Sequence, residues 1–154
     1  MAKTHKLPLY VRAGNVLTLT LLRAGFKLVG PGLVVGNYPM YLLTVRGRKS
    51  GLPRTVAVAI MQRDGKRYIG SPYGIVDWVR NLRAAGAATL TRGRRAETVS
   101  ASQLPAAEAA PLLQAEVKAG NPFMSYYGIT ANSSQEEFEH ASVTHPVFLL
   151  QSVE

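Results

Sequence analysis

Through the middle of this chain, short apolar runs alternate with tight, glycine-bearing turns, while longer apolar stretches at helical spacing flank them. Tyr38–Val45, with Tyr41, Leu42, Leu43 and Val45, predicts a strand. Residues 55–62 (TVAVAIMQ) are almost continuously apolar and predict a second strand buried on both faces. Asp64-Gly65 follows, the dipeptide favoured in two-residue hairpins because both central residues take positive φ, and Arg67–Ser71 returns as its partner strand. Ala87–Arg92 and Arg95–Gln103 read as two strands around Gly93, and Val147–Gln151 as a closing strand after Pro146.

The helical pattern is shorter. In residues 7–25, Leu7, Tyr10, Val11, Leu17, Leu21 and Leu22 fit a helical stripe, although 17–21 also alternates as a strand would. Pro8 suits a first turn and Gly25 a stop, which favours a helix. Residues 28–37 predict a loop. Asp77 is expected to cap a helix over Trp78–Ala85 that ends at Gly86. Pro105–Ala119 predicts a longer helix closed by Gly120. A loop carrying Tyr126 and Tyr127 comes next, and then a short helix near 134–141, where Ser133 or Ser134 with Glu136 or Glu137 makes a capping box.

Short turns make antiparallel neighbours, and no βαβ alternation exists. The expected class is α+β, mainly β: an antiparallel barrel with peripheral helices. The 154 residues suit a single domain. It divides into a helical segment (1–27), a barrel core with the site (38–104), and helices with a closing strand (105–154).

Composition narrows the chemistry. There is no cysteine, which excludes a disulfide framework, a thiol nucleophile and thiolate-ligated metals. His5, His140 and His145 show no metal-ligand spacing, so no metal is expected. Residues 1–63 carry ten Lys/Arg and no Asp/Glu, whereas residues 96–154 carry one basic and seven acidic residues. A basic front half asks for an anionic partner. Nucleic acid is disfavoured, because aromatic residues are not interleaved with the basic run as strand-stacking sites require. The apolar face of 7–25 has three candidate partners: the core, a second copy in a homodimer, and a membrane surface with flanking Lys and Arg at the headgroups. The first two are favoured over peripheral membrane association. No segment is apolar enough over about 20 residues to span a bilayer, and a cytoplasmic location is expected.

The densest chemistry lies in Arg46-Gly47-Arg48-Lys49-Ser50-Gly51-Leu52-Pro53-Arg54, which holds four cations and a hydroxyl without a carboxylate. Such a turn suits phosphate oxygens, although an ordinary basic hairpin loop has the same composition. Neither the GxxxxGK[ST] nor the GxGxxG spacing is present. On the following strand Thr55, Ala57 and Ala59 share a face and leave room for a flat ring. Gly70-Ser71-Pro72-Tyr73 ends the return strand, and Trp78 and Asn81 share a helix face.

The run Leu42–Arg54, the apolar strand, the Asp-Gly hairpin, the serine-bearing turn and Trp78-x-x-Asn81-Leu82 together resemble the deazaflavin-dependent nitroreductase family over residues 38–104. The resemblance implies a split β-barrel of the FMN-binding type. It also implies an oxidoreductase that passes hydride from reduced coenzyme F420 to a small electrophilic acceptor: an enone, a quinone or a nitroaromatic. That coenzyme carries a phosphate and several glutamates. Carried over residue by residue, Arg48, Lys49 and Ser50 hold the phosphate. Arg54, Thr55, Val56, Ala57, Val58 and Ala59 line the deazaflavin. Gly70, Ser71, Pro72 and Tyr73 form the opposite edge, and Trp78 and Asn81 close the site. Tyr126 or Tyr127 faces the substrate, with Tyr126 taken as the catalytic candidate. The family's lysine-containing stretch before the tryptophan is shortened here to Gly74-Ile75-Val76-Asp77. The alternative is the same barrel holding FMN or haem without deazaflavin-dependent turnover.

Overall fold

The computed structural model describes residues 34–35 and 38–153; the helix expected at 7–25 lies outside them. Two β-branched valines, Val34–Val35, form a short strand β1 inside the stretch expected to be a loop, and they pair antiparallel with the start of β2, Tyr38–Arg46. β3, Pro53–Ala59, runs back along β2 with Leu43 opposite Val56 and Val45 opposite Arg54.

The apolar run expected as one strand is two. β3 stops at Ala59, Ile60 donates its N–H to the Pro39 carbonyl at 3.1 Å, and β4 (Met61–Arg63) begins. At this corner the chain changes neighbours: β3 pairs with β2, whereas β4 pairs with β5, Lys66–Gly70. The expected hairpin joins β4 to β5, with Asp64 and Gly65 at φ 52° and 74°. Nor is β3 buried on both faces. Thr55, Val56, Ala57 and Ala59 are only half-buried, because β2 is the sole strand paired with β3 among the described residues.

Helix α1, Asp77–Ala85, begins one residue earlier than expected. Val76 occupies the cap position, and Asp77 sits in the first turn, where a carboxylate complements the helix dipole. β6 (Ala87–Arg92) and β7 (Arg95–Gln103) have the expected bounds. Helix α2 covers Ala106–Lys118. The segment expected as a loop contains a 3₁₀ turn, Pro122–Tyr127, capped by the Asn121 side chain. Helix α3, Gln135–Thr144, opens on the Ser134–Glu137 capping box. It runs three residues past the expected end and stops before Pro146, whose ring disfavours a helical residue ahead of it. β8 is Val147–Ser152.

The sheet order is β1-β2-β6-β7-β8-β5-β4 with β3 on β2, all antiparallel. Because β3 runs into β4 through Ile60 alone, the sheet curls into a barrel. Inside it, alternate residues Leu43, Val45, Ile69, Leu90, Val99 and Phe148 meet Val79 and Leu82 of α1. A second apolar cluster packs α2, α3 and the 3₁₀ turn on the barrel's outside through Met61, Leu113, Met124, Tyr127, Phe138 and Val147. Among the described residues no helix is long and apolar enough to cross a membrane.

Candidate active site

The turn between β2 and β3 is stiff. Gly47 N–H donates to the Leu52 carbonyl at 2.8 Å, and Gly51 N–H to the Gly47 carbonyl at 2.9 Å. Ser50 Oγ accepts from Leu52 N–H at 3.2 Å. A side chain at Gly47 would bring its Cβ within 2.8 Å of Ser50 Oγ, so glycine there lets the serine fold over the turn. Helix α1 fixes this turn to the barrel. Buried Asn81 accepts on Oδ1 from Arg48 N–H at 3.1 Å and from Arg48 Nη1 at 2.8 Å. An amide holds the guanidinium without cancelling its charge, which a carboxylate in the same place would do. Asp77 stands 3.5 Å from Arg48 Nη2, but its side chain is 81% exposed, so this ion pair contributes little. Arg48, Lys49, Ser50 and Arg54 thus line one open concavity above Asn81.

Two residues further along β3, about 7 Å, a second hollow begins. This cleft holds about 700 Å³ of empty space, solvent at its mouth included, and its lining is mostly apolar. One wall is the edge of β3 from Val56 to Ala59, where no other described strand takes up the backbone groups. Gly70, Pro72 and Tyr73 form the opposite wall, with Trp78 at one end. Trp78 is half-buried and leans on Phe148, ring centroids 6.2 Å apart. The cleft lies where the two apolar clusters meet, so one side is barrel and the other is the 3₁₀ turn.

Of the residues expected at the site, Arg48, Lys49, Ser50, Arg54, Val56, Ala57, Val58, Ala59, Gly70, Pro72, Tyr73 and Trp78 line one hollow or the other. Asn81 does so as the floor of the basic turn rather than as a lid. Thr55 turns away and shares a 3.0 Å hydrogen bond with Thr44 across the strand pair. Ser71 is fully buried and donates to the Gly74 carbonyl, so it shapes the turn. Tyr126 is 47% exposed, packs edge-on to Tyr73 at 5.2 Å, and does not line the cleft. Its neighbour Tyr127 does.

Residues 27–133 match the F420H(2)-dependent quinone reductase family. The chain belongs to that family. Solved structures agree on the fold. An F420-H2 dependent reductase, FDR-A, superposes with TM-score 0.53 at 23% identity, covering 77% of this chain and 97% of that one. A domain-swapped dimer superposes with TM-score 0.55 at 22% identity, covering 92% and 97%. A pyridoxamine 5'-phosphate oxidase-like protein from Listeria innocua reaches 0.51 at 10% identity, covering 90% and 93%. The barrel is therefore the split β-barrel of these proteins. No individual curated protein matches the chain. As a member of the quinone reductase family the chain is an F420H2-dependent oxidoreductase, and the FMN alternative gains no support.

The residues of this quinone reductase family member fit the coenzyme. An apolar-walled cleft along an open strand edge suits a tricyclic ring, and three cations on the turn that leads into the same strand suit a phosphate. The slot is tight: a Cβ on Gly70 would lie 2.0 Å from the Tyr127 hydroxyl.

Behind the 3₁₀ wall sits a group that the sequence pattern did not single out. Glu116 is 1% exposed and accepts from Tyr38 Oη at 2.7 Å, Arg63 Nε at 2.7 Å and Asn121 Nδ2 at 2.9 Å. Asn121 in turn accepts from Phe123 N–H at 2.9 Å. This chain of bonds fixes the turn that carries Phe123, Met124 and Tyr127 into the cleft. Burial, with the bond to Glu116, pushes the Tyr38 phenol up to about 12. Burial and then the Glu116 charge push Tyr127 up as well, so both stay protonated near neutrality. A signal for Glu116 was present: it continues the stripe Ala109, Leu112, Leu113 at helical spacing, where a lone carboxylate has to find partners.

Proposed function

We propose that the acceptor is a quinone, reduced in the cleft between β3 and the 3₁₀ turn. The observation that carries this reading is the cleft's mostly apolar lining, with the Tyr127 hydroxyl lying against the Gly70 backbone. A quinone is planar and apolar apart from its carbonyl oxygens, and such a wall accommodates it. Enones share that chemistry in part. Nitroaromatics would bring two partially negative oxygens of a strongly dipolar group into a lining that holds few polar groups.

Arg48, Lys49 and Ser50 would bind the coenzyme's phosphate, and the Val56–Ala59 edge with Gly70, Pro72, Tyr73 and Trp78 would hold its ring. When bound, the reduced deazaflavin supplies hydride. Asn81 keeps Arg48 in place before the phosphate arrives, so less order is lost on binding. The apolar lining excludes water and strengthens each remaining polar contact. Tyr127, kept neutral by its raised pKa, donates a hydrogen bond to the acceptor oxygen where negative charge grows. Reduction of a quinone to a hydroquinone takes one hydride and one proton, and the proton enters from water at the mouth of the cleft. The whole chain would work as one domain. A homodimer is part of the proposal, supported by the domain-swapped relative, and light scattering on the purified protein tests it.

Titration with coenzyme F420, followed by its fluorescence, tests the binding half. Removing one charge-assisted phosphate contact by Lys49→Ala should weaken binding about tenfold or more. No saturable binding, or equal affinity for the variant, would sink the reading. Steady-state rates decide the acceptor: kcat/KM for a soluble naphthoquinone should exceed that for a nitroaromatic, and the opposite order would reject the quinone.

A further inference from the structure

The barrel has a second mouth, beside Tyr41 part-way along β2 and away from the basic turn. There Tyr41, Arg67, Arg92, Arg94, Arg95 and Glu97 surround a concavity of about 1330 Å³, open solvent included. Leu42 pairs with Thr91, so Arg92 lies beside Tyr41, five residues of β2 from where the basic turn begins. That is roughly 17 Å along the strand.

The charges here are not balanced. Arg67 forks onto Glu97, with Nη2 3.2 Å from Oε2 and 3.1 Å from Ser152 Oγ, while Nη1 holds Oε1. Ser152 Oγ donates to the same Oε2 at 3.0 Å. Both oxygens of Glu97 are therefore engaged. Among the described residues no ion pair reaches Arg92, Arg94 or Arg95. Beyond the described residues, the sequence holds one acidic side chain, Glu154.

Arg92 and Arg95 are cross-strand partners on either side of Gly93-Arg94. Like charges directly opposite on a strand pair destabilise it, and a third arginine at the turn adds to the repulsion. Arg92 is held, with its guanidinium 5.3 Å from the centre of the Tyr41 ring. Three guanidinium groups gathered against their mutual repulsion around a hollow, one already oriented, are what recognition of a multivalent anion requires.

We infer that this mouth binds a compact phosphate-bearing anion of two or more charges, at a site separate from the coenzyme cleft. The inference does not depend on the reading of that cleft. Inorganic pyrophosphate is the probe, titrated into the ¹⁵N-labelled full chain at physiological salt. Backbone amide signals of residues 93–97 should shift and saturate. The double variant Arg94→Gln/Arg95→Gln should weaken that binding at least about tenfold, whereas Lys49→Ala should leave it unchanged. Without anion, Arg95→Gln should keep or raise Tm by about 1–4 °C, because a repulsive pair is gone. Shifts confined to residues 46–54, shifts that rise without saturating, or equal affinity in the double variant would overturn the site. Citrate binding as tightly as pyrophosphate would overturn the phosphate assignment. Capture on phosphatidylglycerol vesicles through Arg94 and Arg95, with no pyrophosphate response, would overturn it as well. So would a lower Tm for Arg95→Gln.

Discussion

Glu116→Gln removes one charge and no volume, and the hydrogen bonds around the carboxylate set the cost. Oε2 accepts from Tyr38 and Asn121, and Oε1 accepts from Arg63. A glutamine has one carbonyl oxygen for these three donors. With its oxygen toward Tyr38 and Asn121, its NH₂ faces the Arg63 N–H; turned over, its NH₂ faces the Asn121 amide. Either way a donor meets a donor. Breaking a buried ion pair costs about 3–5 kcal/mol when the surviving charge is trapped. Arg63 keeps 33% of its side chain exposed and still donates to the Ala115 carbonyl at 3.0 Å, so a loss of about 2–3 kcal/mol is expected. For a chain of this size that lowers Tm by roughly 4–10 °C. The functional effect should be selective. Asn121 loses its anchor, the 3₁₀ turn loosens, and the acceptor's KM should rise about three- to tenfold, the size of one weakened hydrogen bond. Coenzyme affinity, set at the basic turn and β3, should hold within about twofold. Thermal unfolding by circular dichroism, coenzyme titration and quinone kinetics on one preparation make the assay. An unchanged Tm, or coenzyme affinity falling in step with KM, would refute the reasoning.

Tyr127→Phe should reduce kcat about tenfold to a hundredfold with coenzyme affinity unchanged, as loss of one hydrogen bond to a developing oxyanion does; Tyr126→Phe should leave turnover as it is, and single-turnover kinetics separate the two. Gly70→Ala puts a methyl where the Tyr127 hydroxyl lies, so the ring must move; a Tm drop with about the same kcat loss as Tyr127→Phe is expected, and a fully active variant would contradict the close approach. His145 is half-buried against Tyr127, ring centroids 4.9 Å apart. Burial chiefly, and then the nearby His140, hold its pKa below the usual value, while a backbone hydrogen bond to Ala141 opposes them. The unfolded chain therefore takes up this proton first, at about pH 6.5, so stability is full above that value and falls as pH drops below it. Tm measured from pH 8 to pH 5 should decline in that window, and His145→Gln should flatten the decline.

Local signals in the sequence mark most strands and all three described helices. Asp64-Gly65, Gly93 and the Ser134–Glu137 box act within a few residues and need no tertiary partner. The basic turn was legible for the same reason: its cations and glycines are contiguous. Features that depend on distant neighbours were not. Nothing in TVAVAIMQ marks Ile60 as the corner, because the break comes from a change of partner strand rather than from a turn residue. Asn81 is legible as sharing a face with Trp78, but its grip on Arg48 spans 33 positions. The choice between two adjacent tyrosines rests on a 3₁₀ turn, whose Asn121-Pro122 start is a capping signal that the surrounding aromatics obscured.

β8 lies between β7 and β5, although it follows every other described strand in the chain. During synthesis the ribosome delivers this central stave after all the others. Until then the nascent chain presents two raw sheet borders, β5 and β7, each with a ladder of unmet amides. Frameshifts and stop codons near position 147 should therefore produce sticky, chaperone-dependent species rather than slightly weakened enzymes.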